Sequence, residues 1–331
     1  MAGSPTLAEV AAAAGVSPAT ASRALSGSVR VTTSTRRRVN DAVVQLGYVR
    51  RRSVYSLPRA RTDHVVAAAI CEPLPRVLSS PFHVRLLSTA EQVLAERGMS
   101  MVVVPSTGTS AVRSLLTGAF GGVLLIGAAD QQPVGVALAA SGVPVRSTGR
   151  PPDGATLPYV DVDNVDGGRQ VAEHLWTSGR RRLGVIAGPR DLPAARDRLD
   201  GFRRVLHDAG VRSVPVAHGD FTRASGTHAM RWLLHRCPDL DGVFAIADTM
   251  AAGAIQTLRR TGRTVPGDVA TVGFDDAHFA RQLTPSLTTV RQPVEELAVR
   301  AATLLIDDMT TGPRRAGNEL LPTELVVRES A

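Results

Sequence analysis

The sequence predicts a small all-α helix-turn-helix head followed by an α/β core of two lobes, with parallel sheets carrying helices on both faces. Three observations predict it. The excess of positive charge is confined to the first 62 residues. Two short helical patterns in that stretch are joined by a tight glycine turn. From residue 64 onward, short β-rich runs alternate with helical segments. The expected division is 1–48 for the head, 49–62 for a basic connector and 63–331 for the two-lobed core.

Composition bounds the problem. A chain of 331 residues is long enough for two or three cored units, and 44% hydrophobic residues is ordinary for a globular protein. No apolar run approaches the ~18 residues needed to span a bilayer. The start, MAGSPTLAEV, has neither a basic nor an apolar signal region, so no secretory leader is expected. The two cysteines, Cys71 and Cys237, lack metal-ligand spacing, so neither a disulfide framework nor a zinc site is expected, and no cofactor. A reducing cytoplasm is the expected location. The formal net charge is +8; the first 62 residues hold ten arginines against two acids, Glu9 and Asp41, so the whole excess lies there and the rest of the chain is balanced. A basic head on a neutral body implies a polyanionic partner for the head alone.

The head reads as three helices. Thr6 and Glu9 have capping-box spacing, and Gly15 stops the first helix where a left-handed residue is needed. Ser17 can cap a second helix with Pro18 in its first turn. Ala21, Ala24 and Leu25 fall on one face of that helix; Pro18, Ala19, Ser22 and Arg23 fall on the other. A small, polar, basic face suits a helix pushed into a major groove, with Ser17, Thr20 and Ser22 offering hydroxyls to phosphates. Arg23 can take a guanine edge bidentately or clamp a phosphate. Thr32 caps a third helix whose buried stripe is Val39, Ala42, Val43 and Leu46, with Thr35 at its start. The connector, Val49 to Arg61, carries five arginines around Leu57.

The stretches TLAEVAAAAGVSPATASRALSG and VTTSTRRRVNDAVVQLGYV closely resemble the head of the lactose-repressor/galactose-repressor (LacI/GalR) family, from Thr6 to Val49 without a gap. The resemblance implies a bacterial transcription regulator whose connector folds into a hinge helix on DNA, with a leucine at the position of Leu57 wedged into the minor groove. Arg50-Arg51 replace the family's usual Pro-Asn, Val54 replaces an alanine, and Pro58 follows the leucine. A shorter or shifted hinge, with arginines on phosphates, is therefore expected. The DNA-contacting set expected is Thr6, Ser17, Pro18, Ala19, Thr20, Ser22, Arg23, Thr32, Thr35, Tyr48, Arg51 and Leu57.

The core pattern runs as strand His64–Cys71, helix Phe82–Arg97 ending at Gly98, and strands Met101–Val104, Gly122–Ile126 and Val143–Ser147. It restarts at Val160–Asp163, then gives helix Gly167–Ser178, strand Leu183–Ala187, helix Arg196–Ala209, strands near Val214 and at Gly242–Ile246, helix Met250–Thr261 and strand Ala270–Phe274. The phrases VDNVDGGRQVAEHL, ARDRLDGF, VPGDVATVGFDD and PSLTTVRQPVEELAVRAATLL resemble the same family, whose core is periplasmic-binding-protein-like. Two such lobes imply a ligand in the cleft between them. The resemblance places Arg196 on sugar hydroxyls, the alternative being an ion pair with Asp197 or Asp200. It places Phe221 as a stacking aromatic, the alternative being core, and Asp275 as a hydroxyl acceptor. Asp248 follows Ala247 where the family has Asn-Asp. Phe82 and Arg150 are the first-lobe candidates. A sugar or sugar derivative suits such a set; so would a nucleoside.

Enzyme readings lack support: there is no glycine-rich phosphate loop, HExxH or GxSxG. Asp275-Asp276, adjacent on an extended segment, should point opposite ways. His207, His218, His228 and His235 read as surface residues, with no metal expected. The whole reads as a homodimer that binds a pseudo-palindromic operator in double-stranded DNA, controlled by a small molecule. It is expected at the nucleoid and not at a membrane. No leucine heptads follow the expected last strand, Glu324–Val326, so a dimer is expected in preference to a tetramer. The rival is a cytoplasmic sugar-binding protein or sugar enzyme with a vestigial head.

Overall fold

The computed structural model describes residues 6–25, 31–46, 64–117, 120–130, 132–152, 155–312 and 317–331. The described residues form two compact units, one ending at Leu46 and one beginning at His64. Tyr48, Arg51 and Leu57, and the expected connector as a whole, lie outside the described residues.

The first unit is three helices: α1 (Leu7–Ala13), α2 (Pro18–Leu25) and α3 (Thr33–Leu46). Thr6 and Glu9 form the full capping box, with Glu9 N donating to Thr6 Oγ1 at 3.3 Å and Thr6 N donating to the Glu9 carboxylate at 2.6 Å. Gly15 has φ +62°, the left-handed turn expected of it. Thr20 N donates to Ser17 Oγ (3.2 Å) and Thr35 N to Thr32 Oγ1 (3.3 Å), so a hydroxyl caps each of the other two helices. The core is Val10, Ala11, Ala14, Ala21, Ala24, Val39 and Ala42, with Val43 partly buried. The side chains of Ser22, Leu25 and Leu46 lie outside those described.

The second unit contains β1 (Val65–Ile70), α4 (Leu74–Ser79), α5 (Pro81–Ala95), β2 (Ser100–Pro105), α6 (Thr109–Thr117), β3 (Gly122–Ile126), α7 (Pro133–Ala139), β4 (Val145–Thr148) and β5 (Tyr159–Val162). It continues with α8 (Asn164–Thr177), β6 (Leu183–Ala187), α9 (Pro193–Asp208), β7 (Val216–His218), α10 (Arg223–Arg236), β8 (Gly242–Ala245), α11 (Asp248–Arg260) and β9 (Ala270–Asp275). Then come β10 (Thr288–Arg291), α12 (Val294–Thr311), β11 (Glu319–Leu321) and β12 (Glu324–Val326).

Among the described residues, the strands build two six-stranded sheets, ordered β11-β5-β4-β3-β1-β2 and β12-β10-β9-β8-β6-β7. The pairings are parallel except that β12 runs antiparallel to β10. The two lobes are thus real, but the boundary expected at Val160 is corrected. β5 belongs to the first sheet, where it pairs β4 and β11. The chain crosses between lobes after β5, after β10 and after β11. The apolar face of α12 is buried in the first-lobe cluster with Val66, Leu124 and Val160. A crossover leaves the hydrophobic period intact, so periodicity alone does not reveal it. The second lobe buries Phe202, Phe244 and Phe274, the first two stacked at 5.3 Å.

Candidate functional site

In the head, Pro18, Ala19 and Arg23 are exposed on α2, opposite buried Ala21 and Ala24. Short side chains at the N-terminal end of a helix allow close approach of another surface to its backbone N–H groups. Thr6, Ser17, Thr20, Thr32 and Thr35 cluster at helix N-termini, and all five hydroxyls take part in capping bonds. Arg37 and Arg38 are exposed on α3. The head therefore presents small, hydroxyl-bearing and basic groups outward and keeps its apolar groups inside.

In the core, a cavity of about 330 Å³ lies between the C-terminal ends of the two sheets, near the small end of the range for ligand sites, about 300–1,000 Å³. Four sequence-predicted residues line it: Phe82 and Arg150 from the first lobe, Phe221 and Asp275 from the second. Phe221 sits at φ +67° and Asp275 at φ +120°, backbone conformations that side chains other than glycine rarely adopt and that tend to be held at functional sites.

Arg196 is not brought to this cavity. It pairs with Asp130 of the first lobe, and so makes an ion pair other than the one weighed for it, with Asp197 or Asp200. The α9 arginine that lines the cavity is Arg198, two residues on. It is buried, donates to Asn164 Oδ1 (2.8 Å) and the Ile246 carbonyl (2.8 Å), lies 3.5 Å from Asp275, and rests on the Phe274 ring at 3.7 Å. Burial lowers its pKa, opposed by Asp275, Asp161 and Asp248. Helical phase separates the two arginines. Ala195, Arg198, Leu199 and Phe202 share the buried stripe of α9, whereas Arg196 lies off it.

Asp248 is also displaced from the expected role. It is buried behind the cavity wall, accepting from Ala277 N (2.7 Å) and Thr289 Oγ1 (2.6 Å), and so holds the turn that carries Asp275 and Asp276. Burial, together with the nearby Asp275, pushes its carboxyl well above the ordinary value. The neighbouring acids do diverge, though not because the segment is extended: both have positive φ. Asp275 faces the cavity and accepts from Gln292 Nε2 (2.5 Å), while Asp276 accepts from Arg291 (2.8 Å) and Arg328 (2.5 Å).

Polar lining residues that the sequence reading does not name include Glu72, Arg76, His83, Asp161, Arg198 and Gln292. Asp161 accepts from Arg150 N (2.8 Å) and Val162 N (2.7 Å); burial raises its pKa against those bonds. Gln292 sits on a crossover, so the hinge itself contributes to the wall. The lobes are tied across the cleft by three ion pairs. Arg150 grips Asp197 bidentately (2.9 and 3.1 Å), Asp130 meets Arg196, and Arg76 reaches Asp220 at 3.9 Å. His207, His218, His228 and His235 are exposed, as read from sequence. Among the described residues no group of three potential metal ligands forms, and no helix is long and apolar enough to cross a membrane.

A helix-turn-helix unit joined to two α/β lobes around a cavity lined by charged and apolar side chains is the build of a DNA-binding regulator controlled by a small molecule. Residues 6–51 match the family described as bacterial regulatory proteins, lacI family, and residues 172–331 match the periplasmic binding protein-like domain. The chain is 40% identical to the HTH-type transcriptional regulator CelR of Thermobifida fusca over 98% of both chains. It is similar to the solved CelR–cellobiose complex (TM-score 0.77, 39% identity, covering 99% of this chain and 100% of that one). It is also similar to the lac repressor dimer bound to operator and an anti-inducer (TM-score 0.73, 26% identity, 99% of each). The chain belongs to the LacI family of bacterial transcription regulators, and it is a regulator rather than an enzyme.

Proposed function

We propose that this regulator is a repressor that grips a pseudo-palindromic operator as a homodimer, and that its effector is a neutral oligosaccharide of the cellobiose type. The observation that carries the ligand class is charge pairing inside the cavity. Arg198 lies against Asp275, Arg150 against Asp197 and Arg76 against Glu72, so these wall cations already have carboxylate partners. Such a wall has hydrogen-bonding capacity without net demand for an anion, which favours a polyol over a sugar phosphate. Phe221 and Phe82 offer apolar faces to sugar rings. The similarity to a regulator solved with cellobiose supports the same class.

In this reading the outward faces of α2 and α3 carry base and phosphate contacts through Ser17, Pro18, Ala19, Thr20, Ser22, Arg23 and Thr35, with Thr6 and Thr32 on phosphates. Tyr48 acts at the end of the head and Arg51 and Leu57 in the connector, Leu57 as the minor-groove wedge. Effector binding changes how the lobes meet, and operator affinity follows through a coupling free energy. The protein works on the chromosome, in the cytoplasm and at the nucleoid.

The test is footprinting across the region upstream of its own gene, repeated with cellobiose. A protected palindrome is expected, with saturating cellobiose changing operator affinity about 5–150-fold. Absence of a protected palindrome counts against repression of its own gene. Protection indifferent to cellobiose and to longer β-linked glucans counts against the ligand.

A further inference from the structure

Asp275 reaches the cavity on a backbone that does not hold itself. Asp275 has φ +120° and Asp276 has φ +48°, two successive left-handed residues without a glycine. Such conformations persist only where the surroundings over-determine them. Whatever fixes this turn therefore fixes where the Asp275 carboxylate points.

The backbone of the turn is held from one side. Ala277 N donates to Asp248 Oδ2 (2.7 Å), and Asp276 N donates to Thr289 Oγ1 (3.4 Å). That hydroxyl in turn donates to Asp248 Oδ1 (2.6 Å). From the other side the turn is held by its own Asp276 carboxylate, only 3% exposed and so in need of partners. Three arginines stand around it. Arg281 lies 3.6 Å away and Arg291 2.8 Å, but their side chains are 62% and 43% exposed, and an ion pair open to water holds its partner weakly. Arg328 lies 2.5 Å away and is 13% exposed.

Arg328 is itself fixed. Its Nη1 donates to the Leu287 carbonyl (2.8 Å), and its backbone N–H donates to Thr288 Oγ1 (2.8 Å). The residues after it are stitched to the strands that carry the turn. Glu329 accepts from Ser286 N (2.9 Å) and Oγ (3.0 Å). Ser330 is fully buried; its Oγ donates to the Thr271 carbonyl (2.5 Å) and accepts from Thr288 N (2.8 Å). Its backbone bonds Ser286 and Thr271 as well. Thr271 lies on β9 and Thr288 on β10, so residues 328–330 form a strap across both strands, from which Arg328 reaches the turn. Arg328 does not line the cavity.

We propose that Arg328 is a positioning residue for effector binding: through Asp276 it locks the turn after β9, and so aims Asp275 into the cavity from outside it. This rests on the reading of the cleft as the oligosaccharide site. Arginine suits the task because two of its nitrogens act at once, Nη2 on Asp276 and Nη1 on the Leu287 carbonyl. A lysine has one nitrogen and cannot span both.

The test is titration calorimetry of the full chain with cellobiose. The proteins are wild type, Arg328→Ala, Asp276→Asn, the double variant and Arg291→Ala, each at a temperature where circular dichroism shows it folded. Asparagine is chosen at 276 because it tolerates positive φ. Arg328→Ala and Asp276→Asn each weaken cellobiose about 5–20-fold, and the double variant binds no more than about twofold more weakly than the weaker single one. Arg291→Ala changes affinity by less than about twofold. Arg328→Lys, which keeps the charge but loses the second bond, takes the place of Arg328→Ala if that variant does not fold. Affinity within about twofold of wild type in both single variants overturns the proposal. So do losses that multiply in the double variant, or a loss in Arg291→Ala as large as that in the Arg328 variant. A wild type that binds no cellobiose overturns the oligosaccharide reading itself, before any variant is compared.

Discussion

The head and the core bury different things and expose different things. Among the described residues the head's buried interior is five alanines and two valines, and Arg23, Arg37 and Arg38 face outward. The core's interior includes three stacked or clustered phenylalanines, and it also buries charge: Arg198 and Asp275 in the cleft, and Arg146 against Asp308 inside the first lobe. The difference separates two kinds of recognition. The head meets a polyanion with unenclosed positive charge at low packing cost. In the proposed reading the core meets a small neutral ligand, and its cations Arg198 and Arg150 already have carboxylate partners.

The largest expected effect of a single change lies in the core. Asp308→Ala removes the partner 2.5 Å from Arg146, whose side chain is only 1% exposed, and leaves a buried guanidinium short of a counter-charge. A stability loss of about 3–5 kcal/mol is expected in urea unfolding of the core, with the head's helices little affected. A loss below about 1 kcal/mol would mean that the pair is not sealed in as described.

Next comes pH. Burial opposes ionisation of Asp276, but hydrogen bonds from Arg328 and Arg291 outweigh it and hold its carboxyl below the ordinary value. A depressed folded-state pKa contributes stability that is present above the unfolded pKa, about 3.9, and lost as pH falls through the folded value. The core should therefore hold its melting temperature down to about pH 4 and lose it below. In Asp276→Asn that acid-side loss should shrink; an unchanged acid limb would break the assignment.

The smallest effect belongs to the head. Thr6→Ala removes the hydroxyl cap of α1 and should cost about 1 kcal/mol of head stability, seen as lower helicity near its midpoint. No loss would show that the capping box is not what starts α1.

The same contrast explains what was legible beforehand. Caps, turns and the small face of α2 are local features, so Thr6, Gly15, Ser17 and Thr32 could be placed from neighbours three or four residues away. Helix starts in the core were read late for an equally local reason: Asp163 caps α8 with its own side chain (2.8 Å to Asp166 N), and Pro193 opens α9 before the first periodic residue. The cleft was half legible. Phe82, Arg150, Phe221 and Asp275 came from resemblance, and Arg198 could have come from phase, since an arginine on the apolar stripe of a helix must find partners. Glu72, His83 and Asp161 carry no such mark. They line one cavity only because β1, β5 and α5 belong to the same lobe, and that grouping is a property of the sheet order. The crossovers that put β5, α12 and β11 in the first lobe were hidden for the same reason.

The most direct test of the division of labour is to measure, on the same protein preparation, operator affinity and effector affinity between 50 and 200 mM salt. Operator affinity should fall about 10³–10⁵-fold if some six to ten phosphates are contacted by the head and connector. Effector affinity should change by less than about threefold, because Arg198 and Asp275 in the cleft are paired and buried from the salt. Operator binding indifferent to salt, or effector binding that falls as steeply as operator binding, would contradict the account.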